Sequence, residues 1–125
     1  MASVDDSALT PNPGLAVVLT TAPSTSVASD LARALLSEGL AACVNLIPAC
    51  QSIYVWKGQL CEESEVLCVI KTQHQHLAAL FHRISGLHPY ELPEMLAFDA
   101  AAASSAYRRW IVDATGGPKG PPTPL

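Results

Sequence analysis

The run His88-Pro89-Tyr90-Glu91-Leu92-Pro93-Glu94 packs an imidazole, a phenol and two carboxylates into one short stretch. Imidazole and carboxylate together suit a borderline divalent ion such as copper or zinc, and either group can move a proton as general acid or base. The prolines restrict how these groups are presented. Each fixes its own φ and removes a backbone donor, and each drives the residue before it, His88 or Leu92, toward extended geometry. The segment is therefore a stiff polar connector, either a rigid link between elements or one wall of a binding site. A lone histidine supplies only one of the several ligands that a transition-metal site needs. The plainer reading stands beside the metal one: His88 bonds a backbone carbonyl, and Glu91 pairs with a cation.

Other residues could join this chemistry. Lys71 ends an apolar run and is expected either to snorkel or to pair with Glu65 or Glu91, as an ion pair in the wall of a cleft between subunits. Asn45 interrupts an apolar stretch, so its amide needs partners if it is buried, and backbone bonding is favoured over a ligand. Tyr54 and Trp56 alternate on one strand face beside a turn. Amphipathic aromatics so placed pack interfaces more often than they stack on ligands. The four cysteines contain no CxxC pair. Cys43 and Cys68 sit in apolar runs and read as small buried hydrophobes, while Cys50 and Cys61 lie among polar residues with nothing to activate them. His74, His76 and His82 fall at the start of a helical stretch or along it, and the first two, two apart, share no helix face. An enzyme using His88 or Glu91 lacks a nucleophile–base pair, a phosphate-cradling glycine loop and a complete metal constellation.

Stepping along the chain, Leu15–Leu19 is an apolar strand that ends at Thr20-Thr21-Ala22-Pro23. Ser24 or Thr25 caps a helix with Val27, Leu31 and Leu35 on one face, stopped at Gly39. An extended segment from Ala41 to Trp56 is bent or bulged at Pro48. Lys57-Gly58-Gln59 is a hairpin tip, and the return strand runs from Cys61 to Thr72. A second helix carries Leu77, Leu80, Phe81, Ile84 and Leu87 at 3–4 spacing. After the connector come a strand near Met95–Phe98 and a helix with Tyr107, Trp110, Ile111 and Ala114 on one face, closed by Gly116. The order β-α-β-β-α-β plus a C-terminal helix is an α+β, ferredoxin-like pattern. Its crossovers put both main helices on one face of the sheet. Yet Val66–Ile70 is apolar at odd and even positions alike, so the other face also wants burial, and self-association follows.

Length and composition bound the rest. With 125 residues there is one domain, bounded here as residues 14–115 between polar tails 1–13 and 116–125. Half the chain is hydrophobic and 14% is charged, which again suggests burial beyond a monomer core. The net charge of −4 and the lack of a basic stripe exclude a nucleic-acid partner. The acidic start Met1–Asp6 is no secretory signal and the apolar runs are too short to span a bilayer, so no membrane partner and a cytoplasmic location are expected.

The blocks Ala41-Ala42-Cys43-Val44-Asn45, Tyr54-Val55-Trp56-Lys57-Gly58, Glu65, Lys71-Thr72 and His88–Glu94 occur in that order. Together they resemble the CutA1 divalent-cation-tolerance family, from about Leu15 to Thr115. The resemblance implies a homotrimer whose sheets face inward and whose long hairpin reaches a neighbour. It implies a non-catalytic binding or signalling role in tolerance of divalent ions such as copper, on an architecture like that of PII-type trimers. The clefts between subunits would hold a small molecule or metal, with Cys43, Asn45, Tyr54, Trp56, Glu65, Lys71, His88, Tyr90, Glu91 and Glu94 as candidate lining. In bacterial members credited with copper binding, the proposed ligands are a cysteine ending the first strand and two successive histidines. The matching positions here are Thr20, Leu87 and His88, so only His88 is kept as a metal candidate. No cofactor is expected beyond a weakly bound divalent cation.

Overall fold

The computed structural model describes residues 8–116. In chain order the elements are β1 (Leu9–Pro11), β2 (Leu15–Ala22), α1 (Thr25–Ser37), β3 (Cys43–Trp56), β4 (Gln59–Gln73), a 3-10 turn (His74–His76), α2 (Leu77–Leu87), β5 (Leu96–Asp99), β6 (Ala102–Ser104) and α3 (Ser105–Ala114). The main sheet has the order β3-β4-β2-β5, every neighbour antiparallel. β4 thus lies between β2 and β3, the split arrangement that the element order requires.

Local sequence explains where the helices begin and pack. Ser24 Oγ accepts a hydrogen bond from the Val27 amide at 3.2 Å and caps α1, while Gly39, at φ 71°, ends it. Leu31 and Leu35 of α1 and Leu80 and Ile84 of α2 meet Val18 and Ile70 of the sheet in one cluster, so both helices cover the same face. On the other face α3 covers one end, where Ile111 packs with Leu15 and Ala42. The remainder is open: Leu96 is 54% exposed and Phe98 55%, beside half-buried Val17, Leu19, Leu67 and Val69.

The β3–β4 hairpin has two halves. Ile47 faces Leu67 but Cys50 faces Glu65, so Pro48 and Ala49 oppose the single residue Val66. This is the irregularity expected at Pro48, with Ala49 at φ 59°. β2 pairs with β4 only from Val66 to Gln73, so the half beyond Glu65 is a bare two-stranded arm. Ile53, Val55 and Leu60 on it are more than 60% exposed. Its tip is tighter than expected. Lys57 and Gly58, both at positive φ, make a two-residue turn, and β4 begins at Gln59 rather than Cys61.

Three further expectations change. Residues 8–13 were read as part of a polar tail, but Leu9–Pro11 pairs with Ala102–Ser104, and Arg108 Nε donates to the Pro13 carbonyl at 2.9 Å. A three-residue strand carries too little periodicity to be seen, and its partner β6 was equally hidden. The last strand of the main sheet is Leu96–Asp99, one residue later than expected. On α3, Ile111 is buried, but Tyr107 and Trp110 are exposed and stack on each other at 5.6 Å. The expected tail segments 1–7 and 117–125 lie outside the described residues. Among the described residues, no helix is long and apolar enough to cross a membrane.

Candidate functional site

His88 follows α2 immediately, and its amide still donates to the Ile84 carbonyl at 2.9 Å. Its backbone is extended, as the following proline demands. The side chain is 8% exposed, with both ring nitrogens in use. Nε2 donates to the Thr21 carbonyl at 2.7 Å, and Nδ1 accepts from the Tyr90 amide at 3.1 Å. This fixes the neutral Nε2–H tautomer, because a carbonyl can only accept and an amide N–H can only donate. One imidazole therefore ties the end of β2 to the connector and sets its first turn. So arranged, it has no lone pair to give a metal.

The connector then delivers Tyr90 to the sheet. The phenol lies against the His88 ring, centroids 4.7 Å apart, and its hydroxyl donates to Glu65 Oε2 at 2.7 Å. Burial first, then the Glu65 carboxylate, push the Tyr90 hydroxyl far above its ordinary range, so it is a donor and not a base at neutral pH. Glu65 is 6% exposed at the root of the hairpin arm. Tyr54 is also raised, by partial desolvation first and then by its hydrogen bond to Glu63.

Between the arm and the connector lies an open groove of about 1020 Å³. Tyr54, Trp56 and Glu63 line its arm side, and Tyr90, Glu91 and Glu94 its connector side. Lys57 closes the rim, 5.6 Å from the Trp56 ring centre and 3.8 Å from Glu91 Oε2. Both members of that ion pair are mostly exposed, so it contributes little.

Six of the ten expected site residues line this groove, Tyr54, Trp56, Glu65, Tyr90, Glu91 and Glu94, and His88 lies against Tyr90 without lining it. Cys43, Asn45 and Lys71 do neither. Lys71 faces Cys43 across the ladder, and Cys43 Sγ lies 3.9 Å from Asn45 Oδ1. Asn45 is exposed, so the condition under which its amide would need protein partners is not met. Within the chain Lys71 pairs with neither carboxylate: Glu65 receives Tyr90, and Glu91 meets Lys57. Strand geometry explains it. Glu65 and Lys71 lie six residues apart on one strand face, roughly 20 Å at about 3.3 Å per residue. Glu63 was missed by sequence reasoning, although its place two residues before Glu65 puts it on the same face of the arm.

The copper set fits no better in three dimensions. Thr20 is fully buried, paired with Cys68 across the ladder, and its Oγ1 has no hydrogen-bond partner among the described residues. Leu87 is apolar and 38% exposed. No group of three or more His, Cys, Asp or Glu side chains among the described residues is placed to hold a metal. All four cysteines are free, and burial pushes the Cys68 thiol up to about 11, which keeps it protonated and inert.

Comparison with known proteins agrees with this architecture. The model of the family described as CutA1 divalent ion tolerance protein matches residues 16–114. The Thermus thermophilus divalent-cation tolerance protein CutA is 43% identical over 100 residues, which are 80% of this chain and 97% of that protein. The human protein CutA is 44% identical over 95 residues, 76% of this chain but 53% of that longer protein. Among solved structures, CutA from Synechococcus elongatus superposes with a TM-score of 0.84 at 38% identity, covering 88% of this chain and 97% of its own. With a matching family model across the whole core, close relatives of nearly equal length and the same fold, the chain belongs to the CutA1 divalent ion tolerance family.

Proposed function

We propose that this protein is a non-catalytic binding or signalling module in divalent-ion tolerance, working as a homotrimer with ligand clefts between subunits. The observation that carries the reading is the double engagement of His88. A histidine spent on two backbone groups builds a wall and leaves no base or ligand free. The groove it shapes holds polar and aromatic groups from two elements, as small-molecule sites do. The titratable groups that are clearly shifted, Tyr54, Tyr90, Tyr107 and Cys68, are all moved toward their protonated forms. None is thereby made a nucleophile or base. Analogy with PII-type signalling trimers supports the same class but carries nothing about the ligand. A cytoplasmic setting fits four unpaired thiols.

Direct copper binding is the second reading, favoured by the single retained histidine in a family named for tolerance of divalent ions. Any such uptake is weak, resting on groove carboxylates such as Glu91 and Glu94, because Cu²⁺ heads the affinity order for oxygen and nitrogen donors. Calorimetric titration of the unmodified protein and of His88→Ala separates the two. We expect no stoichiometric sub-micromolar copper site in either. The variant should lose roughly 1–3 kcal/mol of stability, since the Thr21 carbonyl and Tyr90 amide lose their partner. Tight copper binding that disappears in His88→Ala would make the imidazole a ligand and overturn the first reading.

A further inference from the structure

We propose that the site is composite: Lys71 of one copy pairs with the Glu65 carboxylate of its neighbour. The inference rests on the oligomeric reading above and says which residues the neighbour supplies. Glu65 and Lys71 are both withdrawn from solvent, and neither has a counter-charge among the described residues. Glu65 is 6% exposed and receives a single hydroxyl, from Tyr90, with no cation beside it among the described residues. Lys71 is half-buried on an apolar strand, between Val17 and Cys43, and its ammonium has no partner among the described residues. A buried charge without its counter-charge is costly, and each of these has what the other lacks.

They cannot meet within one chain. Both side chains point to the same open face of β4, roughly 20 Å apart along the strand. That face needs a cover in any case, given Leu96 and Phe98 each more than half exposed and the bare apolar arm beyond Glu65. Charge decides what covers it. One end of the face carries Glu63, Glu65, Glu91 and Glu94 against the single cation Lys57 among the described residues, and the other end carries Lys71. A second copy placed with its Lys71 end against the acidic end of the first satisfies both. Such a contact is heterologous, head to tail, the kind that forms a closed ring when the rotation between copies closes, as a trimer requires. It also unites the candidate residues. Cys43, Asn45 and Lys71 of one copy would complete the groove formed by Tyr54, Trp56, Glu65 and Tyr90 of the next.

The test uses near-isosteric variants of the full chain: Lys71→Met, which keeps the apolar stem, and Glu65→Gln, which still accepts from Tyr90. Each alone should weaken the oligomer at least about tenfold in its dissociation constant, as truncating one member of a desolvated interfacial pair does. The double variant should be no worse than the more damaging single one. Residues so far apart within a chain are otherwise additive. Zero-length carbodiimide coupling gives a direct readout. Because the two groups are far apart in one chain, a Lys71–Glu65 amide link must join two copies and appear as a covalent multimer on a denaturing gel. An oligomeric mass with additive losses and no such link overturns the pairing alone. A monomeric mass overturns the oligomeric reading as well.

Discussion

Single residues in this protein are specialised by burial. His88 looks in sequence like a metal ligand and acts in the fold as a two-ended strut, because its ring lies between a carbonyl of β2 and an amide of its own connector. Cys68 shows the same effect on a thiol. It is 1% exposed, and burial moves its pKa from 9.0 to about 11. The folded protein then keeps a proton that the unfolded chain has lost, so the thiol's contribution is intact below about 9 and is lost as pH rises toward about 11. Stability measured by denaturant should fall across that window by up to about 1.4 kcal/mol per pH unit from this group. Tyr90, also raised, acts in the same direction at higher pH. Cys68→Ala should flatten the lower part of the decline. An unchanged slope would mean that the thiol is solvated.

At the level of elements, the ferredoxin-like core is enlarged by a short clasp. β1 pairs with β6 just before α3, Thr10 and Ser105 share a hydroxyl–hydroxyl hydrogen bond of 2.8 Å, and Arg108 holds the Pro13 carbonyl. The clasp therefore fastens α3 over one end of the open sheet face, where Ile111 meets Leu15 and Ala42. A chain shortened to begin at Gly14 loses these contacts; one beginning at Ala8 keeps them. Loss of at least five hydrogen bonds, each contributing up to about 1 kcal/mol, should lower the melting temperature by several degrees relative to the Ala8 chain. Calorimetry of the two chains decides the point. Equal melting temperatures would make the clasp dispensable.

The whole molecule is unfinished as a single chain. The sheet has α1 and α2 on one face and only α3, at one end, on the other, and the arm from Cys50 to Glu65 stands alone, although an isolated two-stranded hairpin is marginal in water. Each large apolar side chain returned to water forgoes roughly 1.5–3 kcal/mol, and this face and arm carry several. Light scattering at micromolar concentration should therefore find an oligomer, with the mass of three chains the expected value. A stable, folded monomer would refute the expectation and leave the exposed face without a role.

The sequence by itself determined the order of the main-sheet strands and the three helices, and the family, but not the β1–β6 clasp. Those rest on local signals: the Ser24 cap, the Gly39 stop, the 3–4 spacing of Leu80 and Ile84, and the proline-fixed connector. It also determined that a second face needs burial, because Val66–Ile70 is apolar at every position. Only the tertiary structure decided how the functional groups are grouped. Residue types show that Lys71, Glu65 and Glu91 are complementary, but not that β4 holds the first two about 20 Å apart on one face. Nor could they show that Tyr90 would take the Glu65 carboxylate, or that both nitrogens of His88 would be spent on backbone. Helix and strand periods are written in neighbouring residues. Side-chain partners depend on distances across the sheet, which the folded chain alone sets.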